Sequence, residues 1–149
     1  MYATLFFLAC NLAGSTISYQ HIVSTIDDLS TVVAEEQPLF DGDDGRVKTA
    51  KLMLLLSWRE SGWQTSALSP GGDAGVMQIR SPEMWGTTRA ALMKDRQLAF
   101  RVGLKILHHM KDVCGGTVEH WMGGYASGKC GGAKSVVLAR CMPIGACNW

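Results

Sequence analysis

The sequence lacks a Cys-x2-Cys pair, an apolar run long enough to cross a bilayer, and any lysine or arginine in its first 45 residues. The spacings of its cysteines and of the histidines at positions 108, 109 and 120 fit no zinc pattern. A membrane-spanning helix needs roughly 20 predominantly apolar residues. We therefore expect no metal, no cofactor and no stable membrane span.

The charge is divided unevenly along the chain. The first 45 residues carry seven acidic residues and a net charge of −7, whereas residues 46–149 carry fourteen basic and six acidic residues and a net charge of +8. A basic body suits an anionic partner such as a cell-wall polymer, a nucleic acid or an acidic protein face. No aromatic-basic platform or recognition motif accompanies it, so we expect no nucleic acid partner.

Helical periodicity dominates the chain, and no strand-like alternation of useful length occurs. At 149 residues we expect one mainly α domain, residues 46–149, preceded by an apolar and acidic helical arm, residues 1–40. The arm has an apolar stripe over residues 18–36, which either covers part of the core or docks on partner subunits. Further helices are predicted over residues 46–58, 82–93, 95–113, 117–125 and 133–141.

The first fourteen residues are apolar, but no basic segment precedes them, which does not favour a standard secretory signal. The run Phe7-Leu8-Ala9-Cys10 is similar to a lipobox, yet without that basic segment we expect Cys10 to be a buried or interface thiol. Four further cysteines crowd the glycine-rich C-terminal part: Cys114, Cys130, Cys141 and Cys147. They favour two disulfides, pairing in chain order, and therefore a site of action outside the cytoplasm.

The first candidate catalytic residue is Glu60. It lies at the end of a helix that is apolar on all sides from Leu52 onward, which predicts a buried helix. The negative end of the helix dipole and partial desolvation both favour the protonated form of a carboxylic acid, as a general acid requires. The alternative is a surface glutamate paired with Arg59 or another neighbour.

Two motifs resemble those of the lytic transglycosylase and goose-type lysozyme family. They are Glu60-Ser61-Gly62-Trp63 and the segment SPGGDAGVMQI over residues 69–79. A weaker third match, over residues 124–128, retains Tyr125 but has Ala126 where the family has asparagine. The resemblance covers residues 46 to about 130.

The resemblance implies a lysozyme-like helical fold with a cleft for the N-acetylglucosamine/N-acetylmuramic acid strand of peptidoglycan. It implies that Glu60 protonates the glycosidic oxygen and then acts as a base, while the 6-hydroxyl of muramic acid closes a 1,6-anhydro ring. The match to the family's motifs also implies that Ser61 and Gln78 hold sugar groups. By the same match Gly75 and Met77 form the cleft floor, and Tyr125 positions the muramoyl ring.

Several alternatives stay open. Ser61 is either a sugar ligand or only a cap of the helix end, and Met77 is either part of the cleft floor or a core residue. Asp73 is either a second carboxylate that favours hydrolysis or a residue that shapes the glycine-rich turn. The favoured context is a virion-associated enzyme that pierces the cell wall during phage genome delivery. The rivals are a periplasmic enzyme that serves a secretion or conjugation machine and a non-catalytic wall-binding module.

Overall fold

The structure, a computed structural model, describes residues 1–131. Cys141, Cys147 and the helix predicted over residues 133–141 lie outside this range. Within it the chain is helical and contains no strand beyond isolated bridges, which confirms the mainly α prediction. The helices are α1 (Tyr2–Ala13), α2 (Tyr19–Glu35), α3 (Gly45–Ser61), a 3₁₀ helix (Pro82–Trp85), α4 (Arg89–Leu92), α5 (Arg96–Cys114) and α6 (Val118–Ser127). The chain divides into two compact units, of which the second begins at Gly103, within α5.

In the first unit, α1, α2 and α3 pack against one another in pairs. Most of the side chains that they bury are apolar. On α1 and α2 these recur at helical spacing, as with Leu5 and Ala9 or with Ile26, Leu29 and Val32, whereas α3 buries an unbroken run from Leu52 to Leu56. The predicted stripe of residues 18–36 therefore does lie in the core, and α1 and α2 form a hairpin of helices. No helix in the described part of the chain is long and apolar enough to cross a membrane.

Polar contacts fix both ends of α3, the helix that carries Glu60. At its start, the buried Thr49 hydroxyl donates to the carbonyl of Gly45 and accepts from the backbone N–H of Leu39, each over 2.8 Å. A Cβ atom at position 45 would lie 2.0 Å from the carbonyl oxygen of Phe40, so only glycine fits there. At its end, Gly62 takes a left-handed conformation, and its N–H donates to Trp58, a common helix stop.

Arg96, in the first turn of α5, holds that turn against α2. Its guanidinium contacts the Asp28 carboxylate at 2.6 Å and donates to the hydroxyls of Thr25 and Ser24. Gln97 donates to the other carboxylate oxygen of Asp28 at 2.9 Å. Only 11% of the Arg96 side chain is exposed, so these contacts between α2 and α5 are nearly buried.

The prediction of one continuous helix over residues 82–93 is wrong. The chain forms the 3₁₀ helix, stops at Gly86 with φ of 74°, and starts again as α4 after Thr88, whose hydroxyl accepts from the N–H of Ala91. Ser81 has φ of 50° and does not cap the 3₁₀ helix with its side chain, whereas Pro82 occupies the first position of the helix, where proline is favoured.

Candidate active site

Glu60 lies on the last turn of α3 and is half-buried. The chain turns at Gly62, and Trp63, although not a glycine, keeps a positive φ of 63°. Trp63 is fully buried, its indole N–H donates to the carbonyl of Leu54 at 3.0 Å, and its ring lies 4.7 Å from that of Trp58. The aromatic residue of the first motif is thus an anchor that fixes the path of the chain just after the acid.

The hydroxyl of Ser61 joins the two motifs. It lies 2.8 Å from the carbonyl oxygen of Val76, to which it donates, and 3.1 Å from that of Ser57 in its own helix. A hydroxyl has one proton, so the two carbonyls share a single donor. The contact with Val76 places the end of α3 directly beside the second motif.

The second motif folds into a tight turn over residues 74–79. Ala74 and Ile79 exchange backbone hydrogen bonds of 3.1 and 2.9 Å, and the N–H of Gly75 donates to Ala67 at 2.8 Å. Both the backbone N–H and the side-chain amide of Gln78 donate to the carbonyl of Gly75 at 3.0 Å. Gln78 has φ of 47°, a conformation that costs a residue other than glycine strain of about 1–3 kcal/mol.

Gly75 is the one position of this turn that admits no other residue. Its φ is 76°, and a Cβ atom there would lie 2.9 Å from the carbonyl oxygen of Leu92. The close approach brings the end of α4 against the turn. This explains why the motif needs glycine between Ala74 and Val76.

Asp73 is held by the polar groups around it. Its carboxylate accepts from Arg80 at 2.9 and 3.2 Å and from the Ser69 hydroxyl at 3.2 Å, and that hydroxyl accepts from the N–H of Asp73 at 3.0 Å. The hydrogen bonds from Arg80 hold the pKa of Asp73 below its usual range, against a smaller opposing effect of burial. Arg89 closes the same loop by donating to the carbonyl of Gly72 at 2.8 Å.

The other predicted site residues are distributed as follows. Met77 is fully buried, so its side chain belongs to the core, and only its backbone is suited to a cleft floor. Tyr125 lies on α6 in the second unit and is half-buried. Its role beside Glu60 stays a prediction, as do the sugar contacts of Ser61, Gly75 and Gln78. Cys10, which we expect to be a buried or interface thiol, is free and half-buried.

One predicted disulfide is present within the described part of the chain. Cys114, the last residue of α5, is bonded to Cys130, which follows α6. In the same part of the chain no three metal-binding side chains come together in a way that could hold a metal ion.

The first compact unit also has an open polar recess of about 490 Å³. Its lining contains none of the predicted site residues and consists of Asp28, Thr65, Lys94, Asp95, Arg96 and Gln97. Asp28 and Arg96 pair with one another in this lining, so the recess borders the contact between α2 and α5.

Two residues that hold the site were missed by sequence reasoning. His21, on α2, lies with its Nε2 3.0 Å from the carbonyl oxygen of Trp63, so Nε2 carries the donating proton. This contact joins residues 42 positions apart and depends on how α2 packs, so no local pattern indicates it. Arg80 had a signal, since it directly follows the apolar motif and stands seven residues after an acid, Asp73.

Comparison with known families gives one match. A family model described as "Transglycosylase SLT domain" matches residues 44–136, which include both motifs, Tyr125 and the Cys114–Cys130 pair. Neither the comparison with curated proteins nor that with solved structures gives a match.

Proposed function

The chain belongs to the transglycosylase SLT domain family, and from this membership we propose that Glu60 is its catalytic general acid and base. The family indicates a lytic transglycosylase activity on peptidoglycan in general. The finer proposal is cleavage of the β-1,4 bond between N-acetylmuramic acid and N-acetylglucosamine. The product carries a 1,6-anhydromuramoyl end.

In the proposed reaction the carboxyl group of Glu60 donates its proton to the glycosidic oxygen, which leaves as the 4-hydroxyl of N-acetylglucosamine. The substrate's own acetamido group stabilises the cationic C1, in place of a second carboxylate. The Glu60 carboxylate then accepts the proton of the muramic acid 6-hydroxyl as that oxygen bonds to C1. No water is consumed, and Glu60 returns to its protonated form.

The observation that carries this proposal is the 2.8 Å hydrogen bond between the Ser61 hydroxyl and the Val76 carbonyl oxygen. It joins one residue of each motif, 15 positions apart in sequence, and so supports a site made by the acid on α3 and the turn of residues 74–79. We propose that this turn presents backbone groups of Gly75 and Met77 and the amide of Gln78 to the sugars, with Tyr125 at the muramoyl ring.

Transglycosylation, rather than hydrolysis, is the outcome that we propose, because Asp73 is engaged with Arg80 and Ser69. A carboxylate tied to a guanidinium through both oxygens is poorly placed to hold a nucleophilic water. Mass spectrometry of digested sacculi distinguishes the two outcomes, since an anhydro end is one water lighter than a reducing end. A majority of reducing ends would favour a true lysozyme.

Zymography on purified sacculi tests the role of Glu60. Wild type is expected to clear the gel and Glu60→Gln to leave it opaque. The matched control is Glu36→Gln, which removes an exposed carboxylate 3.3 Å from Arg101 and should clear like wild type, because exposed ion pairs contribute little. Equal clearing by wild type and Glu60→Gln would contradict the enzyme proposal and favour a non-catalytic wall-binding module.

For context we propose action outside the cytoplasm, in a virion that pierces the wall. The Cys114–Cys130 disulfide fits an oxidising environment. Phe7 on α1 and Tyr19 on α2 expose 72% and 67% of their surface, which suits contact with partner subunits through residues 1–40. Immunodetection in purified particles and in periplasmic fractions decides between the contexts. Protein found only in the periplasm would favour the secretion or conjugation alternative.

A further inference from the structure

Helix α6, which carries Tyr125, is weak by itself. It has ten residues, and isolated helices below about 12–15 residues are marginal in water. It also contains Gly123 and Gly124 in its interior, and glycine is the least helix-favouring residue after proline. The helix therefore depends on contacts made to it from outside.

One such contact is at Gly124, where α6 meets the end of α5. A Cβ atom at Gly124 would lie 2.9 Å from the sulfur of Met110 and 3.0 Å from the sulfur of Cys114. There is thus no room for a side chain, and the backbone of α6 lies directly against one half of the disulfide. That point is one residue before Tyr125.

His120 provides a second contact. Its Nδ1 lies 3.1 Å from the carbonyl oxygen of Cys114 and 3.2 Å from that of Gly115, so it donates to the end of α5. Its own carbonyl accepts from the N–H of Gly131 at 2.8 Å, and a Cβ atom on Gly131 would lie 2.9 Å from the imidazole ring. His120 thus joins the segment before α6 to the segment after it.

The disulfide closes the same loop covalently. Cys114 and Cys130 are 16 residues apart in sequence, and the segment between them contains the whole of α6. We name the disulfide and His120 together the α6 clamp. Beside the covalent bond, the two His120 carbonyl contacts and the Gly131 bond described above also close this loop.

We propose that the Cys114–Cys130 disulfide is a positioning element for Tyr125, so that the oxidised chain is the active form of the enzyme. The inference rests on the proposed function, in which Tyr125 contacts the muramoyl ring. Formation of the bond removes two protons and two electrons from the two thiols, and a thiol–disulfide oxidant outside the cytoplasm accepts the electrons and is reduced to its dithiol. The chain then becomes fully active where peptidoglycan is found.

The test uses the full chain with Cys10, Cys141 and Cys147 changed to serine, so that only one pair of cysteines can respond. The kcat and KM on soluble glycan strands are measured for the oxidised protein, for the protein reduced with a phosphine, and for the additional Cys114→Ser/Cys130→Ser variant. We expect kcat to fall by about 10- to 100-fold in the last two, the size of loss that a small misplacement of a positioning group causes. Reoxidation should restore it.

A purely structural disulfide would lower activity through general unfolding, so the test is repeated with Tyr125→Ala. If the disulfide acts through Tyr125, reduction has no further effect on kcat in that variant, while circular dichroism shows that the remaining helices are retained. An unchanged kcat on reduction would overturn the inference. An equal loss of kcat on reduction in the presence and absence of Tyr125 would also overturn the inference.

A second variant avoids cysteine chemistry. Gly124→Ala should push α6 away from Met110 and Cys114 and lower kcat in the oxidised protein, again only when Tyr125 is present. Wild-type kcat in Gly124→Ala would contradict the clamp. Failure of this inference leaves clearing dependent on Glu60, whereas failure of the proposed function leaves clearing that does not need Glu60, so the two are distinguishable.

Discussion

The Ser61 hydroxyl lies 2.8 Å from the carbonyl oxygen of Val76 and connects the last turn of α3, which carries the catalytic candidate, to the turn of residues 74–79. The donor is one residue after Glu60, and the acceptor is one residue after Gly75, the position that only glycine can occupy. This one bond therefore relates the acid to the turn that we propose contacts the sugar. The family's serine is thus a connector within the protein as well as a predicted sugar ligand.

Replacing this hydroxyl should weaken both stability and activity. Ser61→Ala removes one hydrogen bond to a buried segment, which is expected to lower the free energy of unfolding by about 1 kcal/mol. Activity on sacculi should fall several-fold, because the turn is no longer tied to α3. Denaturant unfolding and a turbidity assay measure the two effects. The control is Ser66→Ala at an exposed position, which should change neither. If Ser61→Ala and Ser66→Ala had the same stability and activity, Ser61 would not connect α3 to the turn in the way that we propose.

Two glycines of the same loop should differ strongly in how much alanine destabilises the chain. Gly75→Ala meets the Leu92 carbonyl at 2.9 Å and keeps an unfavourable positive φ, so we expect a loss of about 2–4 kcal/mol in the free energy of unfolding. In Gly71→Ala the new Cβ meets only Ser69 and Asp73 side chains at 3.6 and 3.8 Å, and the change should stay within about 0.5 kcal/mol. Chemical denaturation measures the free energy of unfolding of both variants. A Gly75→Ala variant as stable as Gly71→Ala would contradict the close packing of α4 on the turn.

Asp73 should stabilise the loop without taking part in the reaction. Asp73→Asn is expected to retain activity within a few-fold at neutral pH and to lose about 0.5–1 kcal/mol of stability, as for a surface ion pair. The hydrogen bonds from Arg80 lower the pKa of Asp73 in the folded chain. Asp73 therefore contributes its full stabilisation at every pH above the ordinary aspartate pKa, which is about 4. The stability difference between wild type and Asp73→Asn should therefore be constant above that range. It should vanish as the pH falls through the lowered pKa.

Urea unfolding of both proteins between neutral and strongly acidic pH checks this dependence. A difference that grows on acidification would contradict the ion pair. Loss of activity in a stably folded Asp73→Asn variant would instead favour Asp73 as a second catalytic carboxylate and hydrolysis as the reaction.

Helices with a strong pattern could be predicted from the sequence. The stripe of residues 18–36 appears as Tyr19–Glu35, and the apolar run before Glu60 appears as a helix that ends at Ser61. In both cases the apolar spacing and the stop at Gln37-Pro38 or Gly62 act locally, so one stretch of sequence contains all the information. The Cys114–Cys130 pair was predictable for a similar reason, because it closes a short loop around one helix.

Contacts that depend on how helices pack could not be predicted. Whether His21 reaches Trp63, or the Leu92 carbonyl reaches Gly75, is decided by the packing of α2 and α4 against the loop, and neither residue has a distinctive local pattern. The break at Gly86 was missed because one glycine in an otherwise helical composition often lies within a helix at modest cost. The same limit applies to the site: the motifs predict its members, whereas the Ser61–Val76 bond that unites them is a tertiary contact.

The rate of glycan cleavage by Glu60→Gln, measured on soluble strands at neutral pH against wild type, tests the central proposal most directly. Removal of a general acid and base should lower kcat by about 10²- to 10⁴-fold while the melting temperature stays close to that of wild type. Products of the wild-type reaction should carry anhydro ends. A Glu60→Gln enzyme that retains the wild-type kcat would contradict the account.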